Sequence, residues 1–195
     1  MLANVTLADV FRPSARKYAG VYDLVLIVGL SWLVALSAQL AIGSPVPITA
    51  QTFAVLIIAA LLGPLRAAVC MAIYIAQGVS GLPFFAQAKA GPAVLFGPTG
   101  GYIVGFVAAA LVVGWLARQG WDRRCTTTIL AMAIGNIIIY AFGLVWLSCL
   151  IGPARALSVG LYPFIAGDLL KIVLAAAALP SAWKLVGRFG PAGHD

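Results

Sequence analysis

An all-α integral membrane protein with six transmembrane helices and both termini on the cytoplasmic side is the fold that this 195-residue sequence predicts. Three observations carry that reading. The chain is 63% apolar and only 9% charged, where an ordinary soluble domain carries roughly 25% charged residues, and its mean hydropathy is +1.07. Its apolar residues form six runs separated by Gly, Pro and basic clusters, and at roughly 20 residues per helical crossing these runs fill the length without room for a separate soluble domain. Its twelve Lys and Arg stand against five acidic residues, all Asp. That excess would suggest nucleic acid in a soluble protein, but in a membrane chain it reads as topology, and no nucleic-acid partner is expected.

Taken in order, residues 1–20 hold Arg12, Arg16 and Lys17 and lack the apolar core and cleavage site of a signal peptide, so they form a retained cytoplasmic segment. A first span covers about residues 22–42 and stops at Gly43-Ser44-Pro45-Val46-Pro47, because two prolines close together cannot continue a helix. The second span, 48–62, opens on the polar residues Thr49, Gln51 and Thr52 and ends at Gly63-Pro64, and the third runs from 66 to 78. Both are short for a crossing, and a re-entrant hairpin is the competing reading. Residues 80–98 hold three Gly and three Pro together with Phe84, Phe85 and Phe96, which makes a long, partly apolar loop. A fourth span follows at 99–117, a basic turn at 118–124, a fifth span at 126–151, and a sixth from about 158 to 179 after the Gly152-Pro153 break. The bundle thus occupies 22–184 of one membrane domain spanning 1–195, with 185–195 as a cytoplasmic tail.

Orientation follows from the bias of Lys and Arg toward cytoplasmic loops. With both termini inside, the inner segments collect Arg12, Arg16, Lys17, Arg66, Arg118, Arg123, Arg124, Lys184 and Arg188, while the outer ones hold only Lys89 and Arg155. The loop at 80–98 and the Pro45-Val46-Pro47 turn then face outward, and the chain is a multi-pass protein of the cell (inner) membrane.

Function is sought first at Asp168 and Lys171, an acid and a base three residues apart inside the sixth apolar run. Each charge costs on the order of 2.5 to 3.5 kcal/mol at mid-bilayer unless it is paired or faces a wet cavity. A rise of 1.5 Å per residue puts Tyr140 roughly 18 Å below the outer end of span five, and Asp168 and Lys171 roughly 15 and 20 Å down span six counted from Ser158, so one cavity accommodates all three. Asn136, Tyr140 and Gly143 recur at i, i+4 and i+7 and present an amide, a phenol and a gap on one face.

Structural explanations stand beside each of these. The charge pair also fits a neutralised lock, and Asn136 and Tyr140 also fit interhelical hydrogen bonding. Trp146 fits a headgroup anchor, Phe84 and Phe85 fit lid packing, and Gln87 fits a solvated loop amide. Gly97, Gly101, Gly105 and Ala109 repeat every four residues, a stripe that permits close helix approach. The run lacks the Lys-Ser or Lys-Thr of a P-loop and no nucleotide motif exists, so any ATP-driven step requires another polypeptide. A weaker stripe, Ser31, Ala35 and Ala38, could face a partner. Cys70, Cys125 and Cys149 share no metal-like spacing and the single His194 sits beside the C-terminus, so no metal or cofactor is expected. No serine-histidine, cysteine-histidine or paired-carboxylate arrangement occurs within the spans, which predicts no catalytic residue and no enzyme.

Four motifs in order carry a family resemblance: Val46-Pro47-Ile48-Thr49 with Gln51-Thr52-Phe53-Ala54-Val55, then Gly81-Leu82-Pro83, then Leu95-Phe96-Gly97-Pro98-Thr99-Gly100-Gly101-Tyr102, and finally Gly167-Asp168-Leu169-Leu170-Lys171. The chain from 46 to 171 resembles BioY, the biotin-specific substrate-binding S component of energy-coupling factor (ECF) transporters. The resemblance implies a six-helix membrane protein that captures biotin from outside with high affinity. It also implies association with a transmembrane coupling subunit and two ATPase subunits, although some members are thought to act alone. It carries ligand binding onto Asp168 and Lys171 and makes the segments 45–49 and 81–87 the gate, so that Thr49, Gln51, Phe84, Phe85 and Gln87 join Asn136 and Tyr140 as candidate ligand contacts. It assigns coupling-subunit contact to Ser31, Ala35 and Ala38, although the family's alanines are four apart and here the last step is three. A self-sufficient secondary transporter with Asp168 as a proton site is the alternative.

Overall fold

The structure, a computed structural model, describes residues 4–189, with the side chains of 188 and 189 excepted; His194 and the end of the tail lie outside the described residues. After a short helix α1 (Leu7–Val10), the long helix α2 (Arg16–Gln39) leads into a two-stranded antiparallel hairpin, β1 (Ala41–Ile42) and β2 (Ile48–Thr49). Ala41 pairs with Thr49 and Ile42 with Ile48. The helices α3 (Gln51–Leu62), α4 (Pro64–Val79), α5 (Ala93–Phe96), α6 (Gly100–Arg118), α7 (Cys125–Ile151), α8 (Pro153–Gly160) and α9 (Ile165–Phe189) follow.

The same device turns the chain twice. Gly63 (φ 79°) ends α3 and Pro64 opens α4, and Gly152 (φ 83°) ends α7 and Pro153 opens α8. Glycine adopts the left-handed φ without a Cβ penalty, and proline fits the first helical turn, whose N–H has no intrahelical acceptor.

Helices α2, α6 and α7 and the α8–α9 stretch are long and apolar enough to cross a membrane, whereas α3 and α4 are shorter. At 1.5 Å per residue those two reach about 18 and 24 Å, against a hydrocarbon core of about 30 Å. Helix α6 is the most enclosed of the long ones and packs against α3, α4 and α7. Its glycine stripe makes this possible. A Cβ on Gly101 would lie 2.4 Å from Cβ of Trp146 and 2.5 Å from the Phe142 carbonyl, and one on Gly105 would lie 3.2 Å from Cα of Ile139. The stripe therefore faces α7, as its spacing predicts, and Ala109 on the same line is fully buried.

Three boundaries differ from the sequence reading. The first helix begins at Arg16 rather than 22 and gives way to β1 before 42, because Gly43 and the prolines after it favour a hairpin. Residues 48 and 49 are strand rather than the start of the second span. The sixth segment is not continuous from 158, since Leu161 leaves helical geometry (φ −126°, ψ −61°) and a 3-10 turn over Tyr162–Phe164 separates α8 from α9. Asp168 therefore lies in the first turn of α9, and the depths counted along one helix from Ser158 do not hold.

The N-terminal segment is fastened down by charge. Arg66, in the first turn of α4, pairs with Asp9 and with Asp23, the latter at 3.0 Å, and Arg12 closes on Asp23 at 2.6 Å. Burial by itself pushes the Asp9 carboxyl up, but hydrogen bonds from Thr6 and the Arg66 guanidinium outweigh it and hold the carboxyl below its usual range. Such a group stabilises the fold above its unfolded pKa of about 4 and ceases to do so as the pH falls through the lower folded value. Arg66→Gln should thus cost about 2 kcal/mol at neutral pH and less at pH 3, read as the difference in detergent Tm between variant and parent at each pH. A penalty independent of pH would show that Arg66 acts only by packing.

Candidate functional site

The residues singled out on α9 meet those on α7 and the start of α3 at one point. Asp168 is 5% exposed, and three donors converge on it. The Tyr140 hydroxyl donates to Oδ2, Lys171 Nζ donates to Oδ1 at 3.0 Å, and the Thr52 hydroxyl donates to Oδ1 at 3.4 Å. Lys171 Nζ also donates to the Thr49 carbonyl at 2.8 Å and to Thr52 Oγ1 at 2.9 Å, which uses all three ammonium protons. The pair is thus neutralised internally and tied to the hairpin strand β2 and the first turn of α3.

This cluster is not sealed. Lys171, Tyr140, Thr49, Gln51 and Thr52 line a cavity whose other walls include Val46, Pro47, Tyr102, Phe106 and Phe164. The cavity has a volume of about 50 Å³. Asp168 itself is not on the wall; it stands behind Lys171 and Tyr140 and holds both. Aromatic edges set the rest of the surface. Tyr140 meets Tyr102 and Phe164 in edge-to-face contacts with centroids 6.3 and 6.4 Å apart, a favourable geometry for aromatic pairs. The arrangement offers an ammonium, a phenol and hydroxyl groups at one end and apolar walls elsewhere, the make-up of a site for a small amphipathic molecule.

Of the sequence candidates, Asp168, Lys171, Tyr140, Thr49 and Gln51 are brought together. Gln51 is buried and donates to the Tyr74 hydroxyl at 2.7 Å, and Tyr74 in turn donates to the Phe84 carbonyl at 3.4 Å, so it links the cavity to the 80–98 loop. Asn136 is buried one layer away, beside a smaller hollow it shares with Thr52 and Lys171, and its Oδ1 has no partner among the described residues. Phe84 and Phe85 do not reach the cavity: Phe84 packs on Trp32 with centroids 5.0 Å apart and Phe85 on Tyr74 at 5.7 Å. Gln87 is exposed, adopts a left-handed backbone (φ 62°), and donates to the Gly43 carbonyl at 3.1 Å, joining the loop to the hairpin. Trp146 lies outside the cavity too, with its Nε1 donating to the Gly97 carbonyl at 3.0 Å.

One expectation is corrected. Ser31, Ala35 and Ala38 are buried within this chain, and the Ser31 hydroxyl reaches Gln77 of α4 at 2.9 Å. All three are turned inward, with Ser31 against α4, so they are not free to receive a partner; exposed positions of α2 carry Leu24, Val25, Leu33 and Leu36 instead. Sequence reasoning also misses residues. Thr52 and Tyr102 enter only as members of the family motifs, with no role of their own, and Phe164 looks like any other aromatic residue in an apolar run.

The profile of the BioY family matches residues 10–188. The chain is 39% identical over 160 residues to the biotin transporter BioY of Thermotoga maritima, covering 81% of this chain and 89% of that protein. It is 35% identical over 156 residues to a probable biotin transporter BioY of Pyrococcus horikoshii, covering 80% of this chain and 90% of that one. In fold it is similar to the crystal structure of the S-component for biotin from an ECF-type ABC transporter, with a TM-score of 0.74, 24% identity, and coverage of 88% of this chain and 95% of the other. With a multi-pass architecture and a family profile that spans nearly all of its length, this chain belongs to the BioY family.

Proposed function

We propose that this protein is the high-affinity biotin-binding membrane subunit of an ATP-driven ECF-type vitamin importer, and not an enzyme. The observation that carries the reading is the placement of Lys171 and Tyr140 on the wall of an otherwise largely apolar cavity, with Asp168 holding both from behind. Biotin has the matching chemistry: a ureido ring with two N–H donors and a carbonyl acceptor, a carboxylate tail, and an apolar fused ring and methylenes. Lys171 turns one of the protons it holds within the chain to a ligand oxygen, the Tyr140 phenol oxygen and the side-chain oxygens of Gln51, Thr49 and Thr52 accept from the ligand's N–H groups, and Val46, Phe106 and Phe164 cover the rest. The relatives from Thermotoga maritima and Pyrococcus horikoshii, named as a biotin transporter and a probable biotin transporter, support this choice of ligand.

In this reading the protein is a single domain in the cell membrane with six membrane-inserted segments, α2, α3, α4, α6, α7 and α9, and both termini on the cytoplasmic side. The excess of Lys and Arg at the Arg66, Arg118 and Lys184 end supports that orientation. The hairpin β1–β2 and the 80–98 loop then form the outward gate, and biotin enters between them. A coupling subunit and two ATPases supply the energy, since this sequence carries no nucleotide motif. Docking falls to exposed apolar surface such as the outer side of α2.

Titration of the purified protein with biotin, dethiobiotin and an unrelated vitamin tests this directly. Saturable binding of biotin, tighter than dethiobiotin and absent for the unrelated vitamin, is the expected result. Equal response to all three would overturn the assignment.

A further inference from the structure

We infer that Gly143, through Tyr102, sets the width of the cavity and so determines which ring systems the site accepts; the inference rests on the proposed biotin site. On α7, Gly143 is the gap that follows Asn136 and Tyr140 on one helical face, and the structure fills that gap with the Tyr102 ring from α6. A Cβ at Gly143 would lie 2.3 Å from Cδ1, 2.4 Å from Cε1 and 2.5 Å from Cγ of that ring. These are distances that two bonded networks cannot share, so any side chain at 143 displaces the ring as a whole.

The other end of Tyr102 is fixed as well. Its hydroxyl donates to the Gly160 carbonyl at 2.9 Å, and a Cβ at Gly160 would stand 2.4 Å from that oxygen and 2.7 Å from Leu147 Cδ2. Two glycines from α7 and α8 therefore form a socket for one aromatic ring. Tyr102 is 7% exposed, and its free side is the cavity wall. With Gly143 behind it and α8 at its tip, the direction left for the ring is into the cavity. The displacement does not stop there, because Tyr102 meets Tyr140 edge-to-face at 6.3 Å, and Tyr140 carries the hydrogen bond to Asp168. A methyl group at 143 thus narrows the apolar part of the site and tilts the phenol at its polar end.

Gly143 is accordingly a specificity-determining residue that touches no ligand. Binding to Gly143→Ala is compared with the parent for biotin and for the slimmer, single-ring dethiobiotin. Biotin affinity is expected to fall about tenfold or more, in the range that one methylene in a tight pocket commands, and dethiobiotin affinity by less. The decisive variant is Gly143→Ala in a Tyr102→Leu background, where the ring to be displaced is gone. There Gly143→Ala is expected to change biotin affinity by less than about threefold.

Failure of the proposed function and failure of this inference are distinguishable. A parent protein that does not bind biotin sinks the former. A parent that binds while Gly143→Ala leaves both affinities unchanged, or loses as much in the Tyr102→Leu background as with Tyr102 in place, overturns the latter. If the single variant elutes aggregated but the double variant elutes as the parent does and binds like Tyr102→Leu, the clash with Tyr102 is established as the defect. Aggregation of both variants would show that Gly143 is needed for helix packing other than on Tyr102, and would also overturn the inference.

Discussion

Lys171→Ala should lower biotin affinity about thirtyfold or more, because the variant loses the ammonium offered to a ligand oxygen, and a hydrogen bond to a charged group is worth about 2 kcal/mol. The geometry makes the loss larger than that of a single contact. Lys171 is the node through which the Thr49 carbonyl, the Thr52 hydroxyl and the Asp168 carboxylate are joined. Without the ammonium, Asp168 keeps only Tyr140 and Thr52, and the hairpin strand β2 loses its tie to α9. Asp168→Asn should weaken binding to a similar extent by a different route. The asparagine amide keeps an oxygen for Lys171 and turns its N–H₂ group to Tyr140, whose phenol must then accept instead of donate, and the negative charge that balances the ammonium is gone. Binding of biotin to both variants in detergent, alongside size-exclusion profiles that report folding, checks the prediction. Unchanged affinity in both would remove the pair from the site.

That cluster was legible in part because charge is conspicuous in an apolar sequence. An acid and a base at i and i+3 inside a run of Leu, Val and Ala must share a helical face, and burial of either without the other is costly. Tyr140 was legible for a related reason: its place on one face with Asn136 and Gly143 marks a polar stripe on a span otherwise lacking one. Asn136 itself shows the limit of that argument, since periodicity fixes the face of α7 but not how far along it the cavity extends. Tyr102 closes a family motif, but neither it nor Phe164 signalled a place on the cavity wall, because an aromatic ring in a membrane helix packs equally well on lipid, on a neighbour or on a ligand, and only the position of α6 relative to α7 and α9 decides. Ser31, Ala35 and Ala38 illustrate the same limit from the other side. Small residues at that spacing state that something approaches closely, and the structure supplies α4 of the same chain. The break before α9 had a signal in Pro163, which has no N–H to continue the α8 ladder and fits only the first turn of a new helical segment.

Gly114→Ala should be among the most destabilising single-methyl changes in the molecule, at about 3 kcal/mol or more, beyond the usual cost of overpacking because the obstruction is backbone. A Cβ there would lie 2.6 Å from the Gly63 carbonyl carbon, 2.6 Å from Pro64 N and 2.8 Å from Pro64 Cα. Side chains can rotate away from an intruding methyl, but the turn between α3 and α4 cannot, since Gly63 holds a left-handed φ and Pro64 a ring-restricted one. Helix α6 must then move off the α3–α4 turn, and it carries Tyr102, Ile103 and Phe106 of the cavity wall with it. Gly29→Ala supplies the control, because nothing lies within 4 Å of a Cβ at that position on α2. In an exposed helix interior alanine is favoured over glycine by about 0.5 to 1 kcal/mol. The Tm of Gly29→Ala in detergent is therefore expected to match or exceed that of the parent, while Gly114→Ala falls well below it. Equal Tm values for the two variants would mean that α6 does not approach the α3–α4 turn closely enough to exclude a methyl group, and the packing that places the cavity wall would have to be redrawn.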